Sequence, residues 1–205
     1  MRKSTLADRT QQPASLARLE ALTNRDFGRR ERDHHVYIVL DYSGSMSDGR
    51  KMQQAKDGAR SFAESAIEKG YTVGLVQFAT TPYCARSPKT ELHGFKTALD
   101  AWEPNGSTDM AAAIRLVIQE FSSLHGTKVL CLITDGQPND AKATLAAGRT
   151  AKAAGIDIMA IGTDDADHAF LAKLTTRHEL AVTVRREEFQ RAISSMALLL
   201  PAPGR

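Results

Sequence analysis

Two cysteines in 205 residues are too few for a disulfide framework. No apolar run approaches the roughly 20 residues that cross a bilayer, and Met196–Leu200 falls far short of it. The N-terminus also lacks the apolar stretch of a secretory leader. Together these gaps lead to an expectation of a reducing cytoplasm. Cys131, inside the apolar run Val129–Ile133, reads as a small core residue. Aromatic residues make up only 6% of the chain, with no aromatic platform and no basic stripe, which weighs against a nucleic-acid module. The net charge of +3 is concentrated at one end. Residues 1–35 hold eight basic and five acidic side chains, so the remainder is balanced. Neither a Gly-rich phosphate loop nor a Ser/His/Asp-type catalytic set stands out. His93, His125, His168 and His178 show no ligand spacing. His34-His35 is expected to face solvent ahead of the first strand.

What is present is an ordinary globular balance, 42% hydrophobic and 25% charged, in a chain sized for one domain with a sizeable core. Residues 1–34 form a polar, basic extension, a solvated tail or docking arm whose Leu16, Leu19 and Leu22 cannot anchor a helix alone. Residues 35–200 alternate strand and helix patterns, and 201–205 are a short tail. Val36–Leu40 is a continuous apolar run, as in a strand buried on both faces. Met52, Ala55, Ala59, Phe62, Ala63, Ala66 and Ile67 then fall on one helical stripe that ends at Gly70. Strands are expected at Thr72–Phe78, Val129–Ile133, Ile156–Ile161 and Ala181–Val184, with a short edge strand within 79–94. Helices are expected around Phe95–Trp102, Met110–Phe121, 139–154, 167–175 and Phe189–Leu200. This alternation predicts a Rossmann-like α/β sandwich with a mostly parallel sheet of about six strands. Such sheets bind ligands beyond the carboxyl ends of their strands, where the strand order reverses.

Two apolar strands end in the same way, as Leu40-Asp41-Tyr42-Ser43-Gly44-Ser45-Met46 and as Ile133-Thr134-Asp135-Gly136. If the strands are neighbours at the switch point, both carboxylates face one spot. Asp41, Ser43 and Ser45 are spaced by two, so an extended turn can aim three oxygens together, with Gly44 allowing the bend. Gly106-Ser107-Thr108-Asp109 precedes a helix. Alone, it reads as a helix cap.

In combination and in this order, these residues resemble the metal-ion-dependent adhesion site of the von Willebrand factor A family: Asp41, Ser43 and Ser45, then Thr108, then Asp135. The likeness spans roughly residues 35–200. Tyr42 departs from the family's commoner threonine at a position that points away from the metal. The resemblance implies a divalent ion with Ser43, Ser45 and Thr108 as ligands and Asp41 and Asp135 bound directly or through water. Hard oxygen donors suit Mg²⁺ or Mn²⁺. The open position left on the ion would take an aspartate or glutamate from a partner protein. A looser likeness to stand-alone bacterial members of tellurium-resistance type implies a role in a stress-response or conflict system, with a MoxR-type AAA+ ATPase as one candidate partner. In some family members the last helix shifts on ligand binding, which marks Glu187–Leu200 as a candidate lever.

The rival reading is a Mg²⁺-dependent phosphohydrolase similar to the haloacid dehalogenases, with Asp41 as nucleophile and Asp164, Asp165 and Asp167 as the second acidic group. Those enzymes use D-x-D, and a serine at position 43 cannot serve as the tuned carboxylic acid that protonates a leaving group. No catalytic activity is expected.

Overall fold

In a computed structural model, the described residues are 33–202. The strands are β1 (His34–Asp41), β2 (Tyr71–Phe78), β3 (Pro82–Lys89), β4 (Thr127–Thr134), β5 (Ile156–Thr163) and β6 (Ala181–Val184). The helices are α1 (Lys51–Glu68), α2 (Phe95–Asp100), α3 (Met110–Phe121), α4 (Ala141–Ala153), α5 (His168–Leu174) and α6 (Phe189–Met196).

The strands form one sheet in the order β3-β2-β1-β4-β5-β6. Every pairing is parallel except β2 with β3. The chain moves outward from β1 through β2 to β3, then returns to β1's other side with β4. The switch point therefore lies between β1 and β4, the two strands that end in Asp41 and just before Asp135.

Alternation along the strands builds two cores. Val36, Ile38 and Leu40 point to the side covered by α1, α2 and α6. Tyr37 and Val39 point to α3, α4 and α5. On the first side α6 lies tightly on α1: a Cβ at Gly58 would come 2.8 Å from Cβ of Ile193. Cys131 is fully buried as expected, and burial pushes its thiol up to about 12.

Local chemistry sets the helix starts. Asp109, Asp140 and Asp167 cap α3, α4 and α5, each accepting the N–H three residues on. Several boundaries differ from the sequence expectation. The edge strand β3 is eight residues long rather than short, although its register with β2 is broken by irregularities. Helix α2 stops at Asp100, before Trp102, and α6 passes into a 3₁₀ turn over Ala197–Leu199.

His34 and His35 require a correction. They are not in a solvent-facing segment but are the first residues of β1, each only 7% exposed. The His35 ring bonds with Thr72 Oγ1 at 2.6 Å and the His125 carbonyl at 3.0 Å, partners that only the neighbouring strand and loop could supply. Desolvation by burial holds its pKa below the ordinary value. At this same pole the His34 and Tyr71 rings meet at 5.3 Å. The Tyr71 hydroxyl there donates to the Pro201 carbonyl at 2.9 Å. Both ends of the domain thus share the pole opposite Asp41. Among the described residues, no helix is long and apolar enough to cross a membrane.

Candidate metal centre

The loop after β1 carries Asp41, Ser43 and Ser45, with the first two buried and Ser45 exposed. Asp41 is held from two directions. Its Oδ1 accepts the Ser43 N–H at 2.8 Å, and its Oδ2 accepts the Thr134 hydroxyl at 2.6 Å. The second bond crosses from β1 to β4 at their carboxyl ends. Ser43 Oγ and Ser45 Oγ lie 3.1 Å apart, and Ser45 Oγ donates to Asp135 Oδ1 at 2.7 Å. A short hydrogen-bonded chain therefore joins four of the five candidate residues.

The Thr108 loop is stitched to both neighbours by backbone bonds. The Gly44 N–H donates to the Gly106 carbonyl at 3.0 Å, and the Asn139 N–H to the Thr108 carbonyl at 3.0 Å. The Asn139 side chain adds two more links, accepting the Thr108 N–H and donating to Ser107 Oγ, both at 3.0 Å. Thr108 is 8% exposed. The cap reading of Ser107 and Thr108 does not hold, because Asp109 takes that place and leaves the Thr108 hydroxyl without a capping role. Asn139 thus belongs to the rim of the site, and Asp140 beside it caps α4.

Glycine enters differently from expectation. Gly44 has no positive φ, so the turn does not need its conformational freedom. Gly106 does: its φ is +80°, and a Cβ there would come 2.4 Å from Thr80 Oγ1. Tyr42 points away from the site, donating to the Leu99 carbonyl at 2.5 Å and accepting from Gln77 Nε2 at 2.8 Å.

Electrostatics gives the site its character. Asp41 and Asp135 are 0% and 1% exposed, two carboxylates taken out of water side by side. Burial, with a smaller contribution from the charge of Asp135, pushes the Asp41 carboxyl up to about 6 despite its hydrogen bonds. One cation answers them. Lys51, the first residue of α1 and 3% exposed, places Nζ 2.5 Å from Asp135 Oδ2 and 3.2 Å from Asp165 Oδ2. Burial works against its charge, but the bonds and charges of Asp135 and Asp165 prevail and hold its pKa above the ordinary value. Farther out, Arg186 bridges Asp165 at 3.4 Å and Asp48 at 3.1 Å. The innermost three charged groups sum to one uncompensated negative charge.

The donor set fits a hard divalent cation. It consists of two carboxylates and clustered hydroxyls, with no imidazole or thiolate, and a net negative charge sits where water is excluded. Among the described residues no group of three or more His, Cys, Asp or Glu is arranged to hold a metal, so here hydroxyls would have to complete the donor set. Asp164, Asp165 and Asp167 do not assemble as a second acidic group. Asp167 caps α5, and Asp165 is spent on Lys51 and Arg186.

Sequence reasoning missed Lys51, and a signal for it existed. A lysine at the first position of a helix lies at the positive end of the macrodipole, an unfavourable place unless an anion waits there.

Other proteins carry the same architecture. The chain is 29% identical over 119 residues to calcium-activated chloride channel regulator 4 of Homo sapiens, covering 54% of this chain and 13% of that protein. It is 31% identical over 113 residues to regulator 1 of Bos taurus, covering 51% and 12%. The chain thus spans only about an eighth of the length of these relatives. Among solved structures, the vWF domain of the pilus tip protein Mfa5 from Porphyromonas gingivalis superposes with a TM-score of 0.72 at 13% identity, covering 82% of this chain and 95% of that one. Proximal thread matrix protein 1 of the mussel byssus, solved with a zinc-occupied MIDAS motif, gives 0.70 at 21% identity, covering 82% and 46%. The pilus adhesin SpaC of Lactobacillus rhamnosus GG gives 0.70 at 16% identity, covering 82% and 30%. These structural likenesses establish the fold. Residues 35–196 match the von Willebrand factor type A domain profile, and the chain belongs to that family.

Proposed function

We propose that the domain is a divalent-metal-dependent protein-interaction module that grips an aspartate or glutamate of a partner protein. The observation that carries the reading is the meeting of Asp41, Ser43, Ser45 and Asp135 at the β1–β4 switch point, with one buried negative charge left over. Ser43, Ser45 and Thr108 are the direct ligands, with Asp41 and Asp135 acting directly or through water. When bound, the ion supplies a Lewis-acidic position that a partner's carboxylate can fill.

The protein supplies the rest. Thr134 and the Ser43 N–H fix the Asp41 carboxylate, Ser45 and Lys51 fix both oxygens of Asp135, and Asn139 holds the Thr108 loop against the other two. Ser45, exposed while Asp41, Ser43 and Asp135 are buried, marks the open side. The zinc recorded in the mussel protein supports a divalent ion at this motif, and Mg²⁺ or Mn²⁺ is the occupant proposed for this chain. The adhesin role of SpaC supports the interaction role in the same way. The free thiols of Cys84 and Cys131 accord with a cytoplasmic setting. A stress-response assembly with a MoxR-type AAA+ ATPase is the partner context proposed from the resemblance to stand-alone bacterial members.

The test is capture from lysate with Mg²⁺, with chelator, and with the Ser43→Ala/Ser45→Ala double variant. A partner retained only by the unaltered protein in Mg²⁺ supports the reading. A partner retained equally in all three removes the metal from the mechanism.

A further inference from the structure

We infer that Lys51 acts as an internal counter-cation that weakens the site's hold on the metal and strengthens the loaded site's hold on an external carboxylate. The inference rests on the metal reading above and goes further, assigning an affinity-setting role to a residue outside the ligand motif.

The argument begins with where the charges are. Asp41, Asp135 and Lys51 are 0%, 1% and 3% exposed, so their mutual energies are poorly screened. Without Lys51, two carboxylates would neutralise a divalent ion completely. With Lys51 on Asp135 Oδ2, the same four charges leave a surplus of one positive charge. That surplus repels the incoming ion and attracts an anionic ligand. One residue therefore moves the two affinities in opposite directions.

Geometry adds a second reason. Asp135 Oδ1 already accepts from Ser45 and Oδ2 from Lys51, so both oxygens have protein partners. A carboxylate engaged at both oxygens gives less electron density to a metal, leaving the ion more electrophilic toward an outside ligand. The outer charges do not cancel this. Asp165 and Asp48 are 53% and 66% exposed at their side chains and are tied to Arg186, so water and the guanidinium screen them. Asp165 nevertheless touches Lys51, and as the more exposed of the two carboxylates on Lys51 it offers a gentle way to change the balance.

A purely structural Lys51, present only to tie α1 to the β4 loop, would make a different prediction. Removing it would loosen Asp135 and weaken metal and carboxylate binding together.

The experiment uses the full chain with Mn²⁺ as the metal and acetate as the carboxylate. Free Mn²⁺ is counted by electron paramagnetic resonance, and acetate binding is read as loss of metal-bound water by proton relaxation. Lys51→Met is expected to bind Mn²⁺ at least tenfold more tightly and acetate at least tenfold more weakly, with Lys51→Arg close to the unaltered protein. Asp165→Asn is expected to shift both affinities the opposite way, several-fold. A folded Lys51→Met protein in which both affinities fall, or neither moves, overturns the inference. If Lys51→Met does not fold without metal, Asp165→Asn decides, and unchanged affinities there overturn it. Absence of Mn²⁺ binding to the unaltered protein would instead overturn the metal reading itself.

Discussion

Asp41→Asn should stabilise the metal-free protein while abolishing its response to metal. Asp41 is fully buried, and its carboxyl is moved from the ordinary 3.8 to about 6. Because the folded state binds this proton more tightly than the unfolded chain, the sign is destabilising at neutral pH. No penalty exists below about pH 3.8; it grows as pH rises and is complete above about 6. A shift of that size corresponds to about 3 kcal/mol, at roughly 1.4 kcal/mol per unit. Asparagine is isosteric and neutral. Its Oδ1 can still accept the Ser43 N–H, and its amide can donate to the Thr134 hydroxyl in a reversed bond.

A gain of about 1–3 kcal/mol at pH 7.5 is therefore expected, or about 2–12 °C in Tm for a domain of this size. The assay is urea unfolding in chelator at pH 7.5 and near pH 4, comparing the variant with the unaltered protein. The difference should shrink toward zero at the lower pH. Saturating Mg²⁺ should then raise the Tm of the unaltered protein alone, since a ligand that binds only the folded state stabilises it by mass action. Asp41→Asn less stable than the unaltered protein in chelator at pH 7.5, or a difference that ignores pH, would refute this account of the buried charge.

Two further outcomes follow from the loops around the site. Gly106→Ala should lower stability by more than about 2 kcal/mol and weaken metal binding, because its φ of +80° and the Thr80 contact at 2.4 Å leave no room for a Cβ; an unchanged unfolding midpoint would count against the loop geometry. Asn139→Ala should cost about 1–2 kcal/mol and reduce Mn²⁺ affinity, since it removes both links from its side chain to Ser107 and Thr108. Metal titration and chemical unfolding check this one, and unchanged affinity would show that Thr108 needs no such support.

The sheet was legible because its strands are buried on both faces, and Val36–Leu40 and Val129–Ile133 could hardly be anything else. The convergence at the switch point depended on β1 and β4 being neighbours, a condition the sequence pattern left open and the strand order meets. Long-range pairing was not legible. Nothing local distinguishes His34-His35 from a polar lead-in, because the burying partners Thr72 and His125 lie far along the chain. In isolation the segment 106–109 reads as a helix cap, and its Asp109 does cap α3; only the combined motif singles out Thr108. Lys51 was hidden for a related reason: its anions are 84 and 114 residues away. The expected role of Gly44 failed for a simpler reason. A glycine among serines suggests a forced turn, whereas the backbone there is ordinary.

The shared pole of His34, Tyr71 and Pro201 has an architectural consequence. A unit whose described segment begins and ends side by side can be grafted into a surface loop of a host protein, leaving the host's own path almost uninterrupted. The edge that carries Asp41 and Asp135 then projects outward, at the opposite pole from the graft. Evolution can reuse such a cassette in very different carriers without redesigning its tip.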